Sequence, residues 1–495
     1  MPDKLSLIVV SPEILLLVMT CVIALVDLGV TSRLRTLTYW LTLGTLAVLA
    51  WATADFAMGG GTVFAFGGMV VSDPLGNWLK CFATVAMLVT LVYARPYAAD
   101  RGMLRGGELF TLSLFSLLGI YVMLSGSNFL VIYLGLELLT LCSYALVALR
   151  RDNATAAEAA MKYFVLGAMA SGFLLYGMSM MYGATGSLDI NEVFKAIASG
   201  RINHQVLVFG LVFVVAGLAF KLGAVPFHMW IPDVYQGAPT AVTLLLGTAP
   251  ELAAFGIAIR LLVEGMISLA IDWQQMLFVL AVGSLLVGNL AAIAQTNLKR
   301  MLAYSTIAQM GFVVLGLAAG VVDGNTANAQ SAYSASMFYV VTYVLTTLGS
   351  FGIILLLARE GFESDEIADL AGLNERSPLF AGVMAICMFS LAGIPPLVGF
   401  YAKLAVLQAL VGTGQVLYIS LAVFAVVMSL VGAFYYLRVI KVMYFDSPIT
   451  ATTVSAPADV RAVLSANGAL VLILGIVPGG LMTLCAQAVI KTLAS

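Results

Sequence analysis

Apolar runs of about twenty residues, long enough to cross the hydrocarbon of a bilayer as helices, recur about fourteen times along this chain of 495 residues. A chain built this way is read as an all-α, polytopic membrane protein. Composition agrees: 62% of the residues are hydrophobic and 10% are charged, where a soluble domain carries about 25% charged residues. Connections between the runs are short. Two runs contain prolines that must break a helix, because proline has no N–H to donate and its ring crowds the previous turn. These are span 7, residues 205–236 with Pro226, and span 12, residues 378–411 with Pro395 and Pro396. The polar linker 359–377 is expected to form a short amphipathic surface helix. The first run, ending in Ala-Leu-Val-Asp-Leu-Gly, reads as a retained first span and not as a cleaved signal peptide.

Basic residues set the orientation. Loops after odd-numbered spans hold Arg33, Arg35, Arg95, Arg101, Arg105, Arg150, Arg151, Lys299, Arg300, Arg359, Arg376, Arg438, Lys441 and Arg461, whereas loops after even-numbered spans hold Lys195 and Arg201. The positive-inside bias therefore puts the odd loops in the cytoplasm and both termini outside. Spans 4–8 and 9–13 form two sets of five, and an odd number per set inverts the second relative to the first, as in many transporters. The fourth span of each set is the broken one and carries a lysine, Lys221 or Lys403. The chain then divides into three N-terminal spans (1–105), a first five-helix repeat (106–265), a second, inverted repeat (266–445) and a last span (446–495).

The candidate functional residues are the charges placed inside these runs. An acid or a base at the middle of a membrane helix costs about 2.5–3.5 kcal/mol even on the gentler scales, and its default reading is functional. Glu137 lies near the middle of span 5, Lys221 precedes the break in span 7, and Lys403 follows the break in span 12. A carboxylate beside a buried lysine holds its proton, and moving the carboxylate away releases it. Glu137 and Lys221 are candidates for such a switch. Glu251, after Pro250 in span 8, either extends a buried polar row or pairs with Arg260 or a neighbouring helix. His228 either relays protons near neutral pH or is a hydrogen-bonded loop residue. Lys80 and Lys162 lie near helix ends and read as snorkelling side chains.

Other chemistry finds no support in the sequence. Cys21, Cys81, Cys142, Cys387 and Cys485 are scattered through apolar spans with no CxxC pair, so neither a metal site nor a disulfide framework is expected. No glycine-rich nucleotide motif precedes a helix, and no basic run suggests nucleic acid.

Long motifs add a resemblance. L-G-L-E-L-L-T-L-C-S-Y-A-L-V-A-L, G-L-A-F-K-L-G-A-V-P-F-H-M-W-I-P-D-V-Y-Q-G-A-P, N-L-K-R-M-L-A-Y-S-T-I-A-Q-M-G-F and F-S-L-A-G-I-P-P-L-V-G-F-Y-A-K are similar to the antiporter-like membrane subunits of bacterial NADH–quinone oxidoreductase, respiratory complex I. The resemblance covers roughly spans 4 to 13. It implies a translocase subunit of the bacterial inner membrane that moves protons outward while other subunits pass electrons from NADH to quinone. NADH, FMN, iron–sulfur clusters and quinone would belong to those partners, with no cofactor in this chain. Other membrane and peripheral subunits of complex I, a neighbouring antiporter-like subunit and the lipid bilayer are the implied partners.

Residue by residue, the resemblance assigns Glu137 and Lys221 as a pair, Lys403 to the outer exit and His228 to a central hydrophilic axis. At the span-8 relay position, where the family usually has lysine, this chain reads Ala249-Pro250-Glu251-Leu252. Gln309 stands where a histidine is common. The charge reversal at Glu251 implies attraction, in place of repulsion, between the relay and both flanking lysines. The rival readings are a cation/proton antiporter subunit of related architecture and a non-pumping structural subunit of the same complex.

Overall fold

In a computed structural model that describes residues 4–358, 362–448 and 454–494, nearly every element is a helix. The described residues make fourteen crossing units. Spans 1–6 are Ser11–Asp27, Thr36–Gly59, Pro74–Asp100, Glu108–Ser125, Phe129–Val147 and Ala154–Thr185. Span 7 is split into His204–Lys221 and Trp230–Gly237, and span 12 into Pro378–Ala392 and Val398–Val411. Spans 9–11 are Ala270–Ile293, Leu298–Ala318 and Ala329–Leu357; span 13 is Val416–Phe445.

Two further spans are interrupted where none was expected. Span 8 runs Thr240–Leu246, breaks at Gly247-Thr248, resumes as Ala249–Ala258 and widens into a π-helical turn, Ile259–Gly265. Thr-Ala-Pro-Glu at 248–251 is a helix-start signature, with proline in the first turn. Span 14 divides at Pro478 into Ala458–Ile476 and Gly479–Leu493. The polar linker, expected as one surface helix, instead holds a 3-10 turn, Ile367–Leu370, and a single helical turn, Leu373–Arg376; residues 359–361 of that linker lie outside the described residues. The glycine-rich loop after span 2 folds as a small antiparallel hairpin, Val63–Ala65 against Val70–Ser72.

Burial separates the centre from the rim. Spans 8 and 10 have 94% of their apolar stretch buried, against 28% for span 13 and 33% for span 2. A helix apolar on all sides belongs in the interior of the bundle, and one with a single packed face belongs at its edge. Spans 4 and 5 come into backbone contact: a Cβ on Gly119 would sit 2.5 Å from the Leu139 nitrogen, and one on Gly135 would sit 2.6 Å from the Met123 nitrogen. Such small-residue packing brings membrane helices together where no hydrophobic effect can. It seats Thr140, on span 5, within reach of span 7.

Ionic clusters tie the N-terminal spans to the bundle. Lys80 does not snorkel: it is 1% exposed and donates to Glu13 of span 1 at 2.6 Å. Ser125 donates to the same carboxylate oxygen at 2.6 Å. Arg260, in the π-helical turn, is 2% exposed; it binds Asp73 at 2.5 Å and Glu264 at 2.7 Å. It also donates to the Leu124 carbonyl. Asp73 in turn caps span 3 through Gly76 N and accepts from Thr492 of span 14 at 2.7 Å. Arg260 is therefore spoken for, and it does not pair with Glu251.

Candidate functional site

The breaks create the site. In an unbroken helix the carbonyls of Leu391 and Ala392 would accept from residues 395 and 396, but both are proline and have no N–H. Lys403 takes their place. Its Nζ donates to Leu391 O at 2.9 Å, to Ala392 O at 3.0 Å and to Ser429 Oγ at 2.8 Å. The lysine is buried, with the Phe312 ring 5.4 Å away. Gln309 donates to the same Leu391 carbonyl at 3.1 Å and to Tyr436 Oη at 2.9 Å, and accepts from Tyr339.

Span 7 is arranged differently. Lys221 is the last residue of its first segment, and its Nζ donates to Thr140 Oγ1 at 2.6 Å. Trp230, opening the second segment, donates from its indole N–H to the Phe220 carbonyl at 3.0 Å. Lys221 and Glu251 line one cavity of about 30 Å³ together with Thr140, Ser143, Tyr163 and Trp230. That volume holds one or two waters, given about 10–15 Å³ for each. Glu251 is 2% exposed and its Oε2 has no hydrogen-bond partner. It sits in the first turn of a resumed helix, where the helix dipole favours negative charge.

A second, smaller cavity of about 10 Å³ is lined by Gln309, Tyr339, Tyr343, Thr346, Ser390 and Leu391. Tyr343 bonds Thr306 at 2.7 Å, and the charge of Glu251 acts on the hydroxyls of both Tyr343 and Tyr235. The sequence from Lys221 through Glu251, Tyr343 and Gln309 to Lys403 is therefore a polar seam inside an apolar bundle, crossing from the first broken helix to the second.

Two expected members stand apart from that seam. Glu137 is half-buried on span 5, near exposed Leu134 and Leu141, with its Oε1 buried and unpartnered. It makes no direct ion pair with Lys221, although its charge reaches that lysine. His228 is half-buried beyond the break, with a buried Nδ1 and with Met229 beside it 70% exposed; it does not line the Lys221–Glu251 cavity. Lys162 forms ion pairs with Asp233 at 2.8 Å and with Glu158 at 2.9 Å.

The face that carries the arginine-rich loops has polar structure of its own. Glu363 accepts from Arg101 and Arg150 at 3.0 Å each and from the Tyr97 hydroxyl at 2.8 Å. Burial works against its carboxylate, but Arg101 and Tyr97 outweigh it, and the carboxyl lies below the usual range. It is ionised at neutral pH, so its contribution to holding this face together is lost only as pH falls through that lowered value. Sequence reasoning missed Lys299 as an interior group and counted it with the loops. Asn297 caps the helix by accepting from Arg300 N at 3.0 Å, which puts Lys299 inside span 10; that capping residue was the available signal. Among the described residues, no group of three His, Cys, Asp or Glu side chains could hold a metal ion.

A multi-span helical bundle in which broken spans 7 and 12 each deliver a lysine to an internal polar seam defines a membrane subunit of the antiporter-like class. A family model described as NADH:quinone oxidoreductase/Mrp antiporter, TM, matches residues 126–429, and the chain belongs to that family. It is 72% identical over 491 residues to NADH-quinone oxidoreductase subunit N of Polaromonas naphthalenivorans, covering 99% of this chain and 98% of that protein. A chain in the structure of respiratory complex I from Thermus thermophilus with bound aureothin superposes with a TM-score of 0.79 at 32% identity, over 96% of this chain and 99% of that one. A chain of the Mrp complex from Dietzia shares the fold, with a TM-score of 0.84 at 21% identity over 97% of each chain.

Proposed function

We propose that this chain is the N-type membrane subunit of a proton-pumping NADH:quinone oxidoreductase of the bacterial inner membrane, and that protons cross it along the Lys221–Glu251–Lys403 seam. Electron transfer from NADH to quinone takes place in the other subunits. The arginine-rich face is cytoplasmic, and both termini lie on the opposite side. The division into residues 1–105, 106–265, 266–445 and 446–495 is part of this reading. The observation that carries it is the cavity shared by Lys221 and Glu251. Two ionisable groups on different broken helices there meet room for water, in a span that is otherwise 94% buried. A structural ion pair would close directly, as Lys80 and Glu13 do at 2.6 Å.

Each group has a role in the transfer. Lys221 holds a proton against Thr140 and releases it into the cavity. Glu251 accepts it. The hydroxyls of Tyr343 and Thr306 and the small cavity beside Gln309 lead on to Lys403. Glu137, whose field reaches Lys221 from the rim, biases the first step without touching it.

The test is NADH-driven proton uptake in inverted membrane vesicles, expressed per electron transferred and per assembled complex. Lys403→Ala should lower that ratio. An undiminished ratio with normal assembly would assign the chain a structural role. Glu251→Gln keeps the shape of the relay and removes its carboxylate, so the ratio should fall. Glu251→Lys supplies a proton carrier again, now repelling Lys221 and Lys403, and should raise the ratio above that of the unsubstituted complex. Equal ratios for the Glu251→Lys variant and the unsubstituted complex would show that the sign of the relay charge does not govern transfer.

A further inference from the structure

The seam needs a supply of protons, and the arginine-rich face contains adjoining cavities with a buried cation in the wall of one. A basin of about 430 Å³ is lined by Arg101, Arg105, Glu108, Arg150, Arg151 and Asn153. Arg150 and Asn153 also line an adjoining chamber of about 170 Å³, whose other walls include Glu363, Tyr97, Thr155 and Lys299. Lys299 is the innermost cation of that chamber and is 3% exposed. Its Nζ donates to the Ala238 carbonyl at 3.1 Å and to Thr240 Oγ1 at 3.4 Å. Neither partner is a carboxylate; Glu363 and Asp365 act on it only through their fields.

Resting on the pumping reading above, we propose that this chamber is the proton entrance of the subunit and that Lys299 is the first side chain to take up the proton. Hydronium reaching the chamber gives a proton to the neutral amine, leaving water and an ammonium. The ammonium then passes that proton to an oxygen base further in and returns to the amine. The onward direction is set by span 10 itself. Thr306 lies seven residues beyond Lys299, two helical turns along the same face or about 10 Å, and Gln309 follows one turn later. Tyr235 stands beside this stretch, its buried hydroxyl facing Thr306. A Cβ on Gly247, four residues before Glu251, would sit 3.1 Å from that hydroxyl. Protons then enter the seam at the cavity that Glu251 shares with Lys221.

The competing role for Lys299 is a clamp on the Ala238 carbonyl, which ends the second segment of span 7. Lys299→Arg separates the two, because arginine keeps the hydrogen-bond donors and cannot give up a proton in a protein. In vesicles containing the whole complex, the Lys299→Arg variant is expected to lower the proton-to-electron ratio at least as far as Lys221→Ala does. A Lys299→Arg ratio equal to that of the unsubstituted complex overturns the proposal. Thr155→Trp provides an independent reading by filling the chamber with Lys299 intact. Its ratio should also fall, and an undiminished ratio overturns the entrance even if Lys299→Arg fails to assemble. Lys221→Ala and Lys403→Ala, run in the same vesicles, identify which claim has failed. If they lower the ratio and neither entrance variant does, the entrance is wrong and the pump stands; if none of the four lowers it, the pumping reading itself falls.

Discussion

Lys221→Ala is expected to slow proton transfer through this subunit about a hundredfold or more, the usual scale for losing a positioned acid–base group. The residue donates to Thr140 at 2.6 Å and shares its cavity with Glu251. Alanine leaves that cavity with a carboxylate and no cation to exchange a proton with it. The readout is vesicle acidification per NADH oxidised, normalised to complex assembled. Lys221→Arg is the informative companion: it preserves charge and a donor to Thr140 but holds its proton permanently, so it should behave like alanine. An arginine variant that pumps normally would mean that Lys221 serves by its charge alone.

The second large effect concerns assembly. Arg260→Ala should cost about 3–5 kcal/mol, the range measured when one partner of a buried ion pair is removed and the other stays charged. Asp73 is 1% exposed and would keep its charge with only Gly76 N and Thr492 as donors. Little complex containing this variant should accumulate in membranes, as judged on a native gel. Adding Asp73→Asn should restore part of it, because the penalty lies in the stranded carboxylate more than in the lost contact. No recovery in the double variant would show that the arginine acts through packing around the π-helical turn.

Much of this architecture was legible from residue types alone. The apolar runs gave the spans, and Pro226 and the double proline gave the breaks in spans 7 and 12, because neither pattern depends on distant parts of the chain; the breaks beside Pro250 and Pro478 were missed. The lysines stood out for the same reason: a charge inside a membrane helix is conspicuous on its own. Pairing was not legible. Glu137 and Lys221 lie far apart in sequence, and only the packing of span 5 against span 4 shows that Glu137 stays at the rim while Thr140 reaches the lysine. Glu251 was ambiguous because its partner depended on whether Arg260 was already occupied by Asp73, the residue that caps span 3. Lys80 looked like a helix-end lysine because its partner, Glu13, belongs to another span.

The double proline at 395 and 396 has one more effect. It frees two carbonyls, and the terminal nitrogen of Lys403 reaches both of them and the Ser429 hydroxyl of span 13, with Gln309 sharing the Leu391 carbonyl. An ammonium has three hydrogens, one for each of these oxygens, whereas the free amine has two for the carbonyls and a lone pair to which the serine hydroxyl must turn and donate. Each discharge of this lysine therefore removes the charge that strengthens a strut across the gap between two half-helices, and each recharge restores it. The chemical state of one atom is in this way written into the mechanical continuity of a membrane-spanning rod.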